Sequence, residues 1–140
     1  MYKSIEAIQA AFQKRNLKHT VEQNGEHWLL RAGVNGKASS YVFLFIKTDD
    51  ADNDVAVRVF NVVRFPENRR DKGYEALNKI QQSYRYVRLN MDSDGDVSAE
   101  YDFPMNYKNI GEAAIEILIR FTEILDKAYP EMMKAIWGQD

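Results

Sequence analysis

The segment from Tyr84 to Met105 reads as one β-hairpin and runs into a long helix that is apolar on nearly all sides, and this ending constrains the fold more than any other part of the chain. Val87, Leu89 and Met91 alternate on one strand and Val97, Ala99, Tyr101 and Phe103 on the other, so both sets must face the same way. A two-residue loop at Asp94-Gly95 would set Leu89 against Glu100. A loop of Ser93, Asp94 and Gly95 instead pairs Met91 with Val97, Leu89 with Ala99 and Val87 with Tyr101, with Gly95 in the left-handed region. On the outer face this register sets Arg88 opposite Glu100, an ion pair, and Asp92 opposite Asp96, a repulsive one.

In the helix that follows, Ala114, Ile117, Phe121, Ile124 and Ala128 form one stripe, and Ile115, Leu118, Ile119 and Leu125 widen it beyond a single packing face. Such a helix needs cover on two sides. Asn109 with Glu112 resembles a reciprocal cap at its start. Pro130 predicts a break near Tyr129, after which Met132, Met133, Ile136 and Trp137 form an apolar terminal segment.

Upstream, Ile5, Ile8, Ala11 and Phe12 mark an amphipathic helix over about Tyr2 to Arg15. An Asn24-Gly25 turn predicts a hairpin that pairs Val21 with Trp28, His19 with Leu30 and Leu17 with Ala32, and sets Glu22 against His27. After Asn35-Gly36, the run Tyr41 to Ile46 is apolar on both faces and reads as a central strand covered on both sides. Val55, Val57 and Val59 begin a strand expected to run through Val62 and Val63 until Pro66 ends it. Tyr74, Leu77, Ile80 and Tyr84 mark a short second helix. The order is helix, about four strands, helix, two-stranded hairpin and long carboxyl-terminal helix: an α+β fold with an antiparallel sheet, in one domain over residues 1–140.

Composition removes several classes of function. The 140 residues carry 19 basic and 21 acidic side chains, a net charge of -2, which attracts neither nucleic acid nor anionic membrane overall. With 0 cysteines there is no disulfide, thiol nucleophile or thiolate metal site. No stretch has the length of a membrane span, and the amino terminus, interrupted by Glu6 and Gln9, does not read as a signal peptide, so the expected location is the cytoplasm.

No catalytic constellation emerges, and neither metal nor cofactor is expected. His19 and His27 lie on one hairpin, too few for zinc without carboxylates, and there is no Gly-x-Ser-x-Gly elbow, phosphate loop or dinucleotide fingerprint. Asp92, Asp94 and Asp96 begin like a calcium loop, but Val97 stands where its glycine belongs and Phe103 where its bidentate glutamate belongs. Asp50, Asp52 and Asp54 repeat the spacing and read as a solvated loop. Arg64, Arg69, Arg70 and Lys72, near Phe65 and Tyr74, are the densest basic cluster, a candidate anion contact or a solvated loop. Tyr84, Tyr86, Tyr101, Phe103 and Tyr107 gather around the last hairpin, as core and edge packing or as a stacking platform. Ile115, Leu118, Phe121, Met132, Met133 and Trp137 are either a partner or dimer surface or a helix buried inside the monomer.

The element order, joined to Tyr84-Arg85-Tyr86, Leu89, Asp92 through Val97, Glu100 through Pro104 and Ala128-Tyr129-Pro130, resembles the YbjN-like family of bacterial sensory transduction regulators. The matching residues lie between about Tyr74 and Trp137. The resemblance implies a fold like that of type III secretion chaperones, a tendency to dimerise, and no known reaction or catalytic residue. The expected function is a non-enzymatic, homodimeric module that binds a protein client or regulatory partner; the alternative is a domain responsive to a small ligand or nucleotide.

Overall fold

Every strand alternates apolar with polar or half-buried residues, so one sheet face repels water and the other tolerates it. The computed structural model describes residues 1–48, 54–104 and 107–138. Six antiparallel strands, β1 (Thr20–Asn24), β2 (His27–Asn35), β3 (Ser40–Lys47), β4 (Val55–Val59), β5 (Arg88–Met91) and β6 (Val97–Phe103), pair in the order β1-β2-β3-β4-β6-β5. Three helices, α1 (Lys3–Lys14), α2 (Arg70–Gln81) and α3 (Ile110–Trp137), bury their apolar stripes on the same face of this sheet. Phe12 of α1 meets Phe45 edge-on at 5.8 Å, and Phe121 of α3 meets Phe43 at 6.1 Å. Lys47, at the end of the same inward row, is buried with its ammonium 5.9 Å from the centre of the Tyr2 ring.

The last hairpin has the expected register: Met91 pairs with Val97, Leu89 with Ala99 and Arg88 with Glu100. Gly95 is left-handed at φ 86°, and a Cβ there would lie 2.2 Å from the Phe65 carbonyl oxygen, so glycine is required twice over. Met105 lies outside the described residues.

The first hairpin differs. Val21 pairs with Leu30 and Glu22 with Leu29, a slip of two residues that leaves each side chain on its expected face while moving Glu22 from His27 to a 3.2 Å ion pair with Arg31. The turn is Gly25-Glu26, with positive φ at Gly25 alone. β4 stops at Val59 because Asn61 turns left-handed at φ 56°. Val62 and Val63 still bond Val97 of β6 through their backbones. β3 is central but covered on one face only: Tyr41, Phe43 and Phe45 are buried, whereas Val42 is 46% exposed.

α3 is continuous through Pro130, against the expected break. Ala128 and Met132, on either side of the proline, are both buried, and this packing carries the helix past one missing N–H. Asn109 precedes the helix in a left-handed conformation and makes no side-chain cap, while Glu112 pairs with Arg15 on α1.

α3 is fixed over the sheet by Asp126. Its carboxylate accepts the backbone N–H groups of Lys37 at 2.8 Å and Ala38 at 3.0 Å and the Tyr41 hydroxyl at 2.9 Å, tying the β2–β3 turn to the helix. Partial burial alone would raise the Asp126 pKa, but the bonds from Lys37, Ala38 and Tyr41 outweigh it and hold the carboxyl below its ordinary value. Burial, reinforced by the bond to Asp126, pushes the Tyr41 phenol up. Asp126→Ala is expected to cost about 1–2 kcal/mol in denaturant unfolding. Because the folded pKa lies below the unfolded one, the stability this carboxylate contributes is complete above about pH 4 and disappears as pH falls through the folded value. The stability gap between Asp126→Ala and the parent chain should therefore close in acid.

Candidate functional site

The positions marked in the sequence as a partner or dimer surface are largely interior. Ile115, Leu118, Phe121 and Met132 are buried because α1 flanks α3 on one side and α2 on the other, which supplies the double cover the helix demands. Met133 is partly buried, and Trp137, 72% exposed, is the one large apolar side chain of this set facing solvent.

The basic cluster is divided. Arg64 lies 3.9 Å from Asp96, and Arg70 donates to the Ser93 carbonyl at 2.9 Å, holding the tip of the β5–β6 hairpin. Arg69 donates to the Ala135 carbonyl at 2.8 Å, where a cation also meets the negative end of the α3 dipole. Lys72 reaches Glu75 at 3.5 Å. Arg69 and Lys72 nevertheless line, with Lys79 and Lys134, a groove of about 410 Å³ between α2 and the end of α3, which also contains Glu75 and Glu131.

The hairpin carboxylates Asp92, Asp94 and Asp96 come within 4.8 Å of one another. One oxygen of Asp92 already accepts the backbone N–H groups of Asp94 and Asp96, which is the work of a turn residue. Asp50 and Asp52 lie outside the described residues. His19 sits edge-on to Phe12 with its Nδ1 at 2.7 Å from the Leu17 carbonyl oxygen, and His27 is exposed beside the first turn, so the two imidazoles serve separate local contacts.

One organised surface was not singled out from the sequence: the outer face of the sheet. The β-ladder aligns Glu22, Leu29, Ile46, Ala56 and Asp102 in one row, and Thr20, Arg31, Leu44, Arg58, Glu100 and Arg88 in the next. Val42 lies opposite Gly33, which has no side chain to cover it. The result is an aliphatic centre of Leu29, Val42, Leu44, Ile46 and Ala56, half-buried or exposed, that no helix covers among the described residues.

Charges frame this centre and are paired within the chain. Glu22 and Arg31 close one side. On the other, Arg58 sits 3.3 Å from Glu100 and 2.8 Å from Asp102, and Arg88 sits 2.8 Å from Glu100. Arg31 and Arg58, which the ladder sets on either side of Leu44, mark this row as solvent-facing. The frame is neutral, so the face presents apolar contacts at the centre and satisfied polar groups at the rim, an arrangement common in protein interfaces. Among the described residues no helix is long and apolar enough to cross a membrane.

Residues 4–133 match the sequence profile of the YbjN family, described as "Putative bacterial sensory transduction regulator". The fold is similar to a crystal structure described as "YbjN, a putative transcription regulator from E. coli", with a TM-score of 0.56 and 10% identity over 90% of this chain and 91% of that one. No match was found among curated proteins.

The exposure of the β3 outer row has a direct test. Val42→Lys is expected to change stability by less than about 0.5 kcal/mol in denaturant unfolding. Phe43→Ala, one residue away on the buried face, should cost about 3–5 kcal/mol.

Proposed function

The chain belongs to the YbjN family, and from that premise we propose that it is a non-enzymatic regulatory module that binds a protein partner through the open face of its sheet. The observation that carries this reading is the aliphatic centre of Leu29, Val42, Leu44 and Ile46 inside a frame whose charges are already neutralised. A partner of matching chemistry presents aliphatic side chains with few charges at its centre. A phosphate backbone or a strongly charged ligand would have to break the frame's own ion pairs. A second copy of the chain satisfies the same description, and the test separates it from a different protein.

A photo-crosslinking residue replacing Val42, in the chain produced at its natural level in its native cells, should give one dominant adduct. Leu44→Asp should abolish that adduct without unfolding the protein, whereas a crosslinker at Glu67, outside the sheet, should give none of it. The mass of the adduct distinguishes a homodimer from a complex with another protein. Absence of any Val42 adduct, or an adduct indifferent to Leu44→Asp, would remove the sheet face from consideration.

A second reading rests on the groove lined by Arg69, Lys72, Lys79 and Lys134, whose four cations against two carboxylates suit a small anionic ligand such as a nucleotide. In that case a nucleoside triphosphate should raise the melting temperature, and the double replacement Lys72→Glu, Lys134→Glu should eliminate the rise.

A further inference from the structure

On the helix side of the sheet, a crevice beside α3 contains a chain of aromatic rings that runs from the buried Phe103 out to solvent. Tyr86 meets Tyr101 edge-on at 6.1 Å, Tyr101 meets Phe103 at 5.1 Å, and Phe103 meets Tyr107 at 5.2 Å. Phe103 is buried, but Tyr86 and Tyr107 keep 55% and 42% of their surface exposed. Tyr86 separates two hollows: a narrow one of about 80 Å³ against Tyr101 and Tyr107, and a wider one of about 240 Å³ against Tyr84 and Ile124.

Tyr86 is also held in an unfavourable conformation. Its φ is 74°, and the Val87 N–H donates to the Arg85 carbonyl at 2.9 Å, which closes a γ-turn of the rare positive-φ kind around it. Glycine would occupy this position without strain. A bulky ring placed there, and left half in solvent, is not repaid by burial, and such outliers gather where a side chain is held for a ligand.

The wider hollow is electropositive in a chain whose net charge is -2. Arg85, Arg120 and Lys127 line it against one carboxylate, Glu123. Arg120 is paired with Glu116 at 3.0 Å, whereas no ion pair reaches Arg85 or Lys127 among the described residues. At about 240 Å³ the hollow falls below the roughly 300–1,000 Å³ of small-molecule sites, and its size suits one projecting side chain.

We propose that this crevice is a docking site for a short acidic segment of a partner protein, which places one aromatic or aliphatic side chain in the hollow beside Tyr86 and a neighbouring carboxylate against Arg85 and Lys127. The site lies on the opposite side of the sheet from the aliphatic face and stands or falls independently of it. Single-stranded RNA, which also uses aromatic rings and cations, is disfavoured because Tyr86 stands edge-on to Tyr101 and Tyr107 is tilted against the buried Phe103, so the two exposed rings offer no continuous stacking platform.

The test is titration of the isotopically labelled protein, followed by amide chemical shifts, with four probes: an acidic heptapeptide with a central phenylalanine, its central-glycine counterpart, a basic counterpart and an oligouridylate. The phenylalanine peptide should shift Arg85, Tyr86, Arg120 and Lys127 and leave Val42 to Ile46 unmoved, with at least about tenfold weaker binding of the glycine and basic peptides. Tyr86→Gly should lose at least about tenfold in affinity while its melting temperature stays level or rises, an outcome that a merely structural ring would not give. Arg85→Glu with Lys127→Glu should abolish binding. Equal binding of the glycine peptide, unchanged affinity of Tyr86→Gly, tighter binding of the oligouridylate, or no shifts with any probe would each overturn the proposal.

Discussion

The height and rotation of α3 over the sheet govern the rest of this structure, and apolar packing alone does not fix either. A stripe of Ala114, Ile117, Phe121, Leu125 and Ala128 could slide or turn by part of a residue and still bury similar area. The Asp126 carboxylate removes that freedom, because its three donors approach from the β2–β3 turn and from Tyr41 in fixed directions. Gly36 makes the approach possible: a Cβ there would stand 2.5 Å from an Asp126 oxygen. Once α3 is set, α1 and α2 follow as its two flanking covers, with Arg15 reaching Glu112 on one side and Arg69 holding the Ala135 carbonyl on the other.

This arrangement places all three helices on one face, and that concentration leaves the other face open. With Phe43, Phe45 and the valines of β4 committed inward, the alternate positions Val42, Leu44, Ile46 and Ala56 have no layer to enter among the described residues. Their retention beside Arg31 and Arg58 requires an account that core packing does not provide. The half-exposed pair of Glu22 and Arg31 contributes little to stability, whereas Arg58 and Glu100 are mostly covered, and together these pairs fix the side chains of the frame, so the aliphatic centre has a defined outline.

Local chemistry was legible in the sequence wherever one residue type had a single physical solution. The left-handed Gly95 set the last hairpin, its register placed Arg88 on Glu100, and the width of the α3 stripe called for two covers. Where two solutions preserve the same faces, as with the register slip of the first hairpin, alternation is silent and tertiary contact decides. The apolar run of β3 looked the same for a doubly covered strand and for one with an aliphatic outer row; only the ladder partners Arg31 and Arg58 distinguish them, and those depend on register. Counting apolar residues on α3 showed that they are numerous but not whether the cover comes from within. Glu112 spaced correctly for a cap was instead drawn to Arg15, an interaction 97 residues apart in sequence and invisible to local reading. The positive φ of Tyr86 has no sequence signal, because aromatic residues avoid that region on their own.

β6 contributes to both the open face and the narrow aromatic hollow. Its even positions Glu100 and Asp102 complete the charged frame of the open face, while its odd positions Tyr101 and Phe103 form the floor of the aromatic crevice. Because successive side chains of a strand project to opposite sides, the open face and the narrow hollow share this short stretch of backbone without sharing space. Tyr101 lies between the two: burial raises its phenol pKa, with Tyr107 and Tyr86 adding to the effect, and its ring packs as a wall on the helix side.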